Sequence, residues 1–245
     1  MKIDERTFGR VSIAHLEEVL EKNRLAARKI ADRVVRDVKA GRLLFVFGSG
    51  HSAILSMELY HRAGGCSFVV PVVADYLLPT AGPPVVRTLE RTPGAANSLL
   101  DRAGPRRGEM IWIVSQSGIN GAVVEFALEA SRRGLYTVAF TSLRHSRAVK
   151  SRHPSGKKLF QVCDAVLDLG GCVGDAAVQI TGDSRAGPLS SLGAIFLAHS
   201  VLTYAAARLE RAGRRCVYTS VNTPEGERRN KSLELKAAKR DPLLR

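Results

Sequence analysis

Two short turns carry most of the hydroxyl chemistry in this chain. Gly48-Ser49-Gly50-His51-Ser52 follows the apolar run Leu43-Leu44-Phe45-Val46-Phe47. Ser115-Gln116-Ser117-Gly118 follows Ile111-Trp112-Ile113-Val114. In each, a short run of the kind a covered strand shows ends in small hydroxyl residues and glycine, and a helical pattern follows. Free backbone amides at a helix start, with hydroxyls beside them, suit a phosphate or another anion. Asn120 stands where the second helix would take its N-cap. On neighbouring parallel strands the two turns would open onto one crevice, and a phosphate ester, foremost a phosphorylated sugar, is the ligand expected there. Gly48-x-Gly50 is not a dinucleotide fingerprint, because Ala53 stands where the third glycine belongs, and no Gly-Lys-Ser/Thr ending follows. Taken alone, it also fits an ordinary tight strand-to-helix turn.

The elements that must position these turns alternate. Apolar residues Ile13, Leu16, Leu20, Leu25, Ile30, Val34 and Val38 recur at helical spacing and predict one long helix over residues 12–40, stopped by Gly41. Strands are predicted at 43–47, 68–73, 111–114, 136–140 and 165–169, and helices at 52–63, 95–103, 122–133 and 189–211. The stretch 75–91, rich in Pro and Gly, reads as an irregular loop, and the polar, basic tail from about residue 222 as partly mobile. Alternating strands and helices give an α/β, three-layer αβα sandwich with a five-stranded parallel sheet. No linker or repeat divides the chain, so residues 1–245 are expected to form one domain.

The composition narrows the partners. Lys plus Arg number 37 against 23 for Asp plus Glu, a net charge of +14, which attracts anions. Only 6% of residues are aromatic and no basic-aromatic platform is visible, so nucleic acid is not the expected partner. No run approaches the ~18 apolar residues of a membrane span, and the first residues lack a secretory pattern, so a cytoplasmic location is expected. Cys66, Cys163, Cys172 and Cys216 form no Cys-x-x-Cys pair and read as buried reduced thiols. Asp168, Asp175 and Asp183 lie at no metal-ligand spacing; neither a metal nor a cofactor is expected.

Strand-Ser-x-Ser-Gly-helix resembles the signature of the sugar isomerase (SIS) domain family. Gly48 to Ser52 matches that family's first ligand loop, and Thr141-Ser142 falls where a third hydroxyl-bearing turn would. The segments 60–65, 151–157, 174–176, 220–222 and 224–226 are similar to a bacterial subgroup of single-SIS-domain proteins. The resemblance implies a flavodoxin-like fold, usually oligomeric, whose members isomerise, cleave, aminate or simply bind phosphosugars. It implies that Ser49, Gly50 and Ser52 touch sugar or phosphate, and that Ser115, Ser117, Gly118 and Asn120 hold the phosphate with Thr141 adjacent. For aldose–ketose isomerisation a base and an acid are needed. Glu58, about two helical turns beyond the first loop, and His199, in the apolar stretch Ile195 to His199, are the candidates. His61, three residues beyond Glu58 and thus on the same helix face, is the reserve. A buried imidazole at 199 would suit a proton acceptor. A surface pair for Glu58 and His61, and a core histidine for His199, remain the alternatives.

Two functions therefore stand at this point: a phosphosugar isomerase or relative, and a non-catalytic phosphosugar sensor. A DNA-binding regulator is disfavoured, since the 40 or so residues before the first strand read as one helix. A homodimer or larger assembly is expected, with the first helix in its interface.

Overall fold

The computed structural model describes residues 3–244. Five parallel strands form the central sheet: β1 (Leu44–Gly48), β2 (Val69–Val72), β3 (Met110–Val114), β4 (Tyr136–Thr141) and β5 (Ala165–Asp168). Their order is β2-β1-β3-β4-β5. Helices α1 (Thr7–Lys39), α2 (Ile54–Glu58) and α8 (Ser190–Arg211) cover one face. Helices α4 (Ala96–Ala103), α5 (Gly121–Arg132) and α7 (Leu159–Val162) cover the other. Three more α-helices lie among the described residues: α3 (Pro83–Arg91), α6 (Leu143–Ala148) and α9 (Gly226–Ala237). A separate hairpin pairs β6 (Ala176–Thr181) with β7 (Ser184–Pro188).

The side-chain period of two explains why the strand runs are continuously apolar. Leu44, Val46, Met110, Trp112, Val138 and Phe140 pack toward α1 and α8. Their neighbours Phe45, Phe47, Ile111, Ile113 and Ala139 pack toward α4 and α5. Phe47 stacks on Phe126 of α5 with ring centroids 3.8 Å apart. Trp112 tilts against Phe140 at 5.0 Å. The three-layer α/β expectation is met.

Several boundaries differ from the sequence reading, each for a local reason. The stretch 75–91 is not a loop throughout, for α3 starts at Pro83-Pro84, where the first turn needs no amide donor. The helix after the first turn ends at Glu58 instead of residue 63, because His61 takes a positive φ of 40°. The basic tail folds into α9, which buries Asn230, Leu233 and Ala237. Asn230 binds both backbone groups of Thr219, at 2.9 and 2.7 Å. Arg240 clamps buried Glu109, with Nη2 2.9 Å from Oε2. Glu109 also accepts from the amides of Leu43 and Arg106. Burial pushes this carboxyl up, but the guanidinium and the two amides outweigh it and hold it below its ordinary 4.5.

Helix α1 begins earlier than expected, at Thr7, and its apolar stripe splits. Ile30 and Val34 are buried against α8 and the sheet, whereas Ile13 is 62% and Leu25 71% exposed. The buried side of its first two-thirds is mixed, with Thr7, Ser12, His15 and Asn23 beside the apolar Val19. Asn23 Nδ2 donates to the carbonyl of Asp168 at 2.8 Å, and its Oδ1 accepts from the Asp168 amide at 2.7 Å, pinning α1 to the end of β5. The expectation of no span-length apolar run fails for α8, whose 22 residues are long and apolar enough by composition alone. Its buried positions Leu197, Val201, Ala205 and Leu209 account for that apolarity as core packing. All four cysteines are unpaired, but only Cys66 and Cys216 are buried as expected, Cys163 and Cys172 being half-buried; burial pushes the thiols of Cys66, Cys163 and Cys216 up.

Candidate functional site

Strand order reverses direction between β1 and β3, and a crevice opens beyond the carboxyl ends of the strands at such a point. Gly48 pairs with Val114, so the two hydroxyl turns leave the sheet side by side.

The first turn is tightly folded. A Cβ on Gly48 would run into the Ser52 carbonyl. Ser49 is extended and buried, and its carbonyl accepts from the Ser52 amide at 3.2 Å. Gly50 has φ +56°, and a Cβ there would lie 2.6 Å from Oε1 of Glu90. A carboxylate from α3 thus lies against this turn. Sequence reasoning missed Glu90 because it took the whole of 75–91 as irregular.

The second turn is held by its own side chains. Ser115 Oγ accepts from the Gly118 amide at 3.1 Å. Thr141 Oγ1 donates to the Gln116 carbonyl at 3.2 Å, and the Ser142 amide donates to the same oxygen at 3.0 Å. Gly118 has φ +61°, and a Cβ there would sit 2.7 Å from Thr141 Oγ1 and 3.2 Å from Leu159 Cβ. Ser115 and the fully buried Thr141 therefore shape the loop. Ser117 is half-buried, and its hydroxyl has no hydrogen-bond partner among the described residues. Asn120 occupies the N-cap position of α5 without a capping bond; its Oδ1 instead accepts from Arg152 at 2.7 Å. That bond brings a cation to the loop's rim. Gln116 was also missed: both amide atoms of its side chain are buried without a partner. It shares a narrow cleft with His51, Ser52, Leu169, Ser190 and Ser191.

The loop after β5 is organised by Asp168. Its Oδ1 accepts from the amides of Leu143 and Gly170, each at 3.0 Å, and Lys22 Nζ lies 2.7 Å from Oδ2. Burial raises this carboxyl, but Lys22 and the two amides outweigh it and hold it below its ordinary value. Asp175 accepts from the amides of Leu189 and Ser190 and from the Ser190 hydroxyl, closing the start of α8. Both carboxylates are engaged in holding backbone.

The catalytic candidates separate into two groups. Glu58 and His199 come together, with Oε1 3.2 Å from Nε2, and Arg62 pairs with the same carboxylate. Neither lines the cleft between the turns. His199 is nine residues beyond Ser190, about 13 Å along α8 at 1.5 Å per residue. Its side chain keeps 34% exposure, so the burial expected of it is not there. His61 turns away altogether: its Nε2 lies 2.9 Å from Glu234 of α9 and its ring packs on Tyr218. The shared helix face expected for Glu58 and His61 does not form, because α2 has already ended.

Strand order and the paired hydroxyl turns define a parallel α/β protein with a crevice at its topological switch point. A family model for the SIS domain matches residues 7–142. A UPF0309 protein of Brucella canis is 34% identical over 246 residues, covering 99% of both chains. A UPF0309 protein of Shouchella clausii is 32% identical over 221 residues, 89% of this chain and 90% of that one. The chain belongs to the SIS domain family, among the UPF0309 proteins. Its fold is similar to phosphoheptose isomerase from Neisseria gonorrhoeae, with a TM-score of 0.54 at 16% identity over 81% of this chain and 94% of that one. It is similar also to a phosphoheptose isomerase from Francisella tularensis, with a TM-score of 0.53 at 14% identity over 82% and 96%.

Proposed function

We propose that the chain binds a phosphorylated sugar between the β1 and β3 turns and isomerises it between aldose and ketose. The side-by-side placement of those turns, with an unengaged Ser117 hydroxyl and Arg152 at the rim, carries this reading. The phosphate takes its donors from Ser117, the loop amides around Gly118 and the Arg152 guanidinium. Ser49, Ser52 and Gln116 face the sugar hydroxyls, while Gly50, Ser115, Asn120 and Thr141 keep the two turns in shape. The family's character and the phosphoheptose isomerase fold neighbours support this ligand class.

Isomerisation requires a base to lift the proton from the carbon beside the carbonyl and return it to the adjacent carbon, with an acid at the oxygens. Glu90, against Gly50, is one base within reach of the turn. The Glu58–His199 pair is the other acid–base couple, but it opens away from its own crevice. It borders an apolar groove of about 800 Å³ containing Leu16, Leu192, Ile195, Phe196 and Tyr204. We propose that a second copy covers this groove and the exposed Ile13 of α1, forming a homodimer in which the pair lies at the interface. Sedimentation equilibrium at tens of micromolar should give a dimer or larger assembly. Phe196→Glu should shift it toward monomer; a monomeric wild type would contradict the proposal.

A non-catalytic sensor is the second reading, favoured by the place of His199, paired with Glu58 and lining the apolar groove along α8. Solvent-deuterium incorporation separates the two. Each tightly bound sugar phosphate is incubated in D2O and followed by NMR at the carbon beside the carbonyl. Wild type should exchange, and Glu90→Gln, or Glu58→Gln with His199→Gln, should lose exchange while keeping ligand affinity. No exchange with any bound phosphosugar selects the sensor. Exchange persisting in all these variants removes the assigned bases.

A further inference from the structure

A second cavity lies at the opposite, amino-terminal end of the strands, with a volume of about 290 Å³. Its floor is apolar: Val38 at the end of α1, Leu43 before β1, Phe68 before β2 and Leu233 of α9. Of its fourteen lining residues six are cationic and none is acidic. Some of that charge is already answered. Arg42 lies 3.1 Å from Asp37, and Arg240 holds Glu109. Arg214 donates to the Val38 carbonyl at 3.0 Å. Arg215 and Lys236 are exposed and make no hydrogen bond or ion pair among the described residues.

Uncompensated cations around an apolar floor select an occupant with a charged end and an apolar body. A bare inorganic anion would leave the floor wet. A sugar phosphate with no ring base has only hydroxyls to set against Leu43 and Phe68, which offer them no partner. A flat ring suits both the floor and the guanidinium planes of Arg214 and Arg215. The volume sits at the small end of ligand pockets and takes one ring-bearing phosphate. We propose that this cavity is a second ligand site, for a phosphorylated planar-ring compound of mononucleotide size. It is independent of the sugar-phosphate site, which lies at the other end of the sheet. Because Leu233 and Lys236 belong to α9 and Arg240 follows it, the occupant also ties the C-terminal segment to the strand entrances.

Adenosine 5′-monophosphate is the probe, with adenosine and inorganic phosphate as comparators, titrated by calorimetry at low salt. One probe should bind per chain, at least about tenfold tighter than either comparator. Amide hydrogen exchange over residues 226–237 should slow when it binds. Arg215→Glu with Lys236→Glu should lose at least about tenfold in probe affinity, and Ser117→Ala should lose none. If the double variant does not fold, Arg215→Ala takes its place and should still weaken binding several-fold. The proposal is overturned by no binding, by phosphate binding as tightly as the probe, by unchanged affinity in the folded charge variants, or by loss of the probe in Ser117→Ala.

Discussion

Gly118→Val is expected to destabilise the protein by about 2–5 kcal/mol and to remove sugar-phosphate binding altogether. Two effects add. The residue sits at φ +61°, where an L side chain costs about 1–2 kcal/mol, more with a β-branch. Its Cβ would also stand 2.7 Å from Thr141 Oγ1 and 3.2 Å from Leu159 Cβ, an overpacking cost of about 1–3 kcal/mol. Relief requires the backbone to move. That breaks the Gly118 amide bond to Ser115 Oγ and the Thr141 bond to the Gln116 carbonyl. The amides proposed to hold the phosphate are carried by the same backbone. Urea unfolding measures the first effect, and calorimetry with the best phosphosugar the second. Wild-type affinity in a folded Gly118→Val protein would show that this loop is not the phosphate site.

Arg240→Ala is expected to cost about 3–5 kcal/mol at neutral pH, the range for stripping one partner from a buried ion pair. Glu109 is 1% exposed and would be left as a buried carboxylate with only two amide donors. The pH dependence has a definite sign. The Glu109 carboxyl is held below its ordinary 4.5 in the folded state. The pair therefore stabilises fully above that value and loses its contribution as pH falls through the lowered one. In Arg240→Ala, protonation instead relieves the stranded charge. The stability gap between wild type and variant should be widest near pH 7 and narrow as pH drops below about 4.5. Denaturant titrations at the two extremes measure it. A gap of equal size at both would mean that the loss is packing and not charge.

What could be read in advance was whatever one side chain's neighbours in sequence decide. The strands were legible because both faces of the sheet are covered, so Leu44 to Phe47 and Ile111 to Val114 are apolar without interruption. The two turns were legible because hydroxyls and glycines follow those runs directly. α3 was hidden because Pro83-Pro84 reads as a breaker unless it falls in a first turn. α9 was hidden because the contacts that fix it lie outside its own sequence: Asn230 on Thr219, and Arg240 just beyond the helix on Glu109. The β6–β7 hairpin was hidden because its strands are mostly exposed and carry little apolar alternation.

The site divides along the same line. Ser49, Ser52, Ser115 and Ser117 are candidates that type and position alone put forward. Glu90 and Arg152 are not among them, since each comes to the turns from a segment whose path only the fold defines; Gln116 stands within the second turn, and only the fold shows its amide buried without a partner. The pairing of Glu58 with His199 spans 141 positions of chain, and its distance from the crevice reflects where α8 runs. His61 fell away because one residue with positive φ ended its helix early.

A thermal-shift titration with a panel of sugar phosphates and their dephosphorylated counterparts tests the central claim most directly. A ligand that binds only the native state raises the melting temperature by mass action. The account predicts that at least one phosphosugar gives a saturable rise, that its unphosphorylated sugar gives none, and that Ser117→Ala with Ser115→Ala weakens it by about 1–3 kcal/mol. A sugar that binds equally well without its phosphate, or a phosphosugar whose affinity the double variant leaves unchanged, would contradict it.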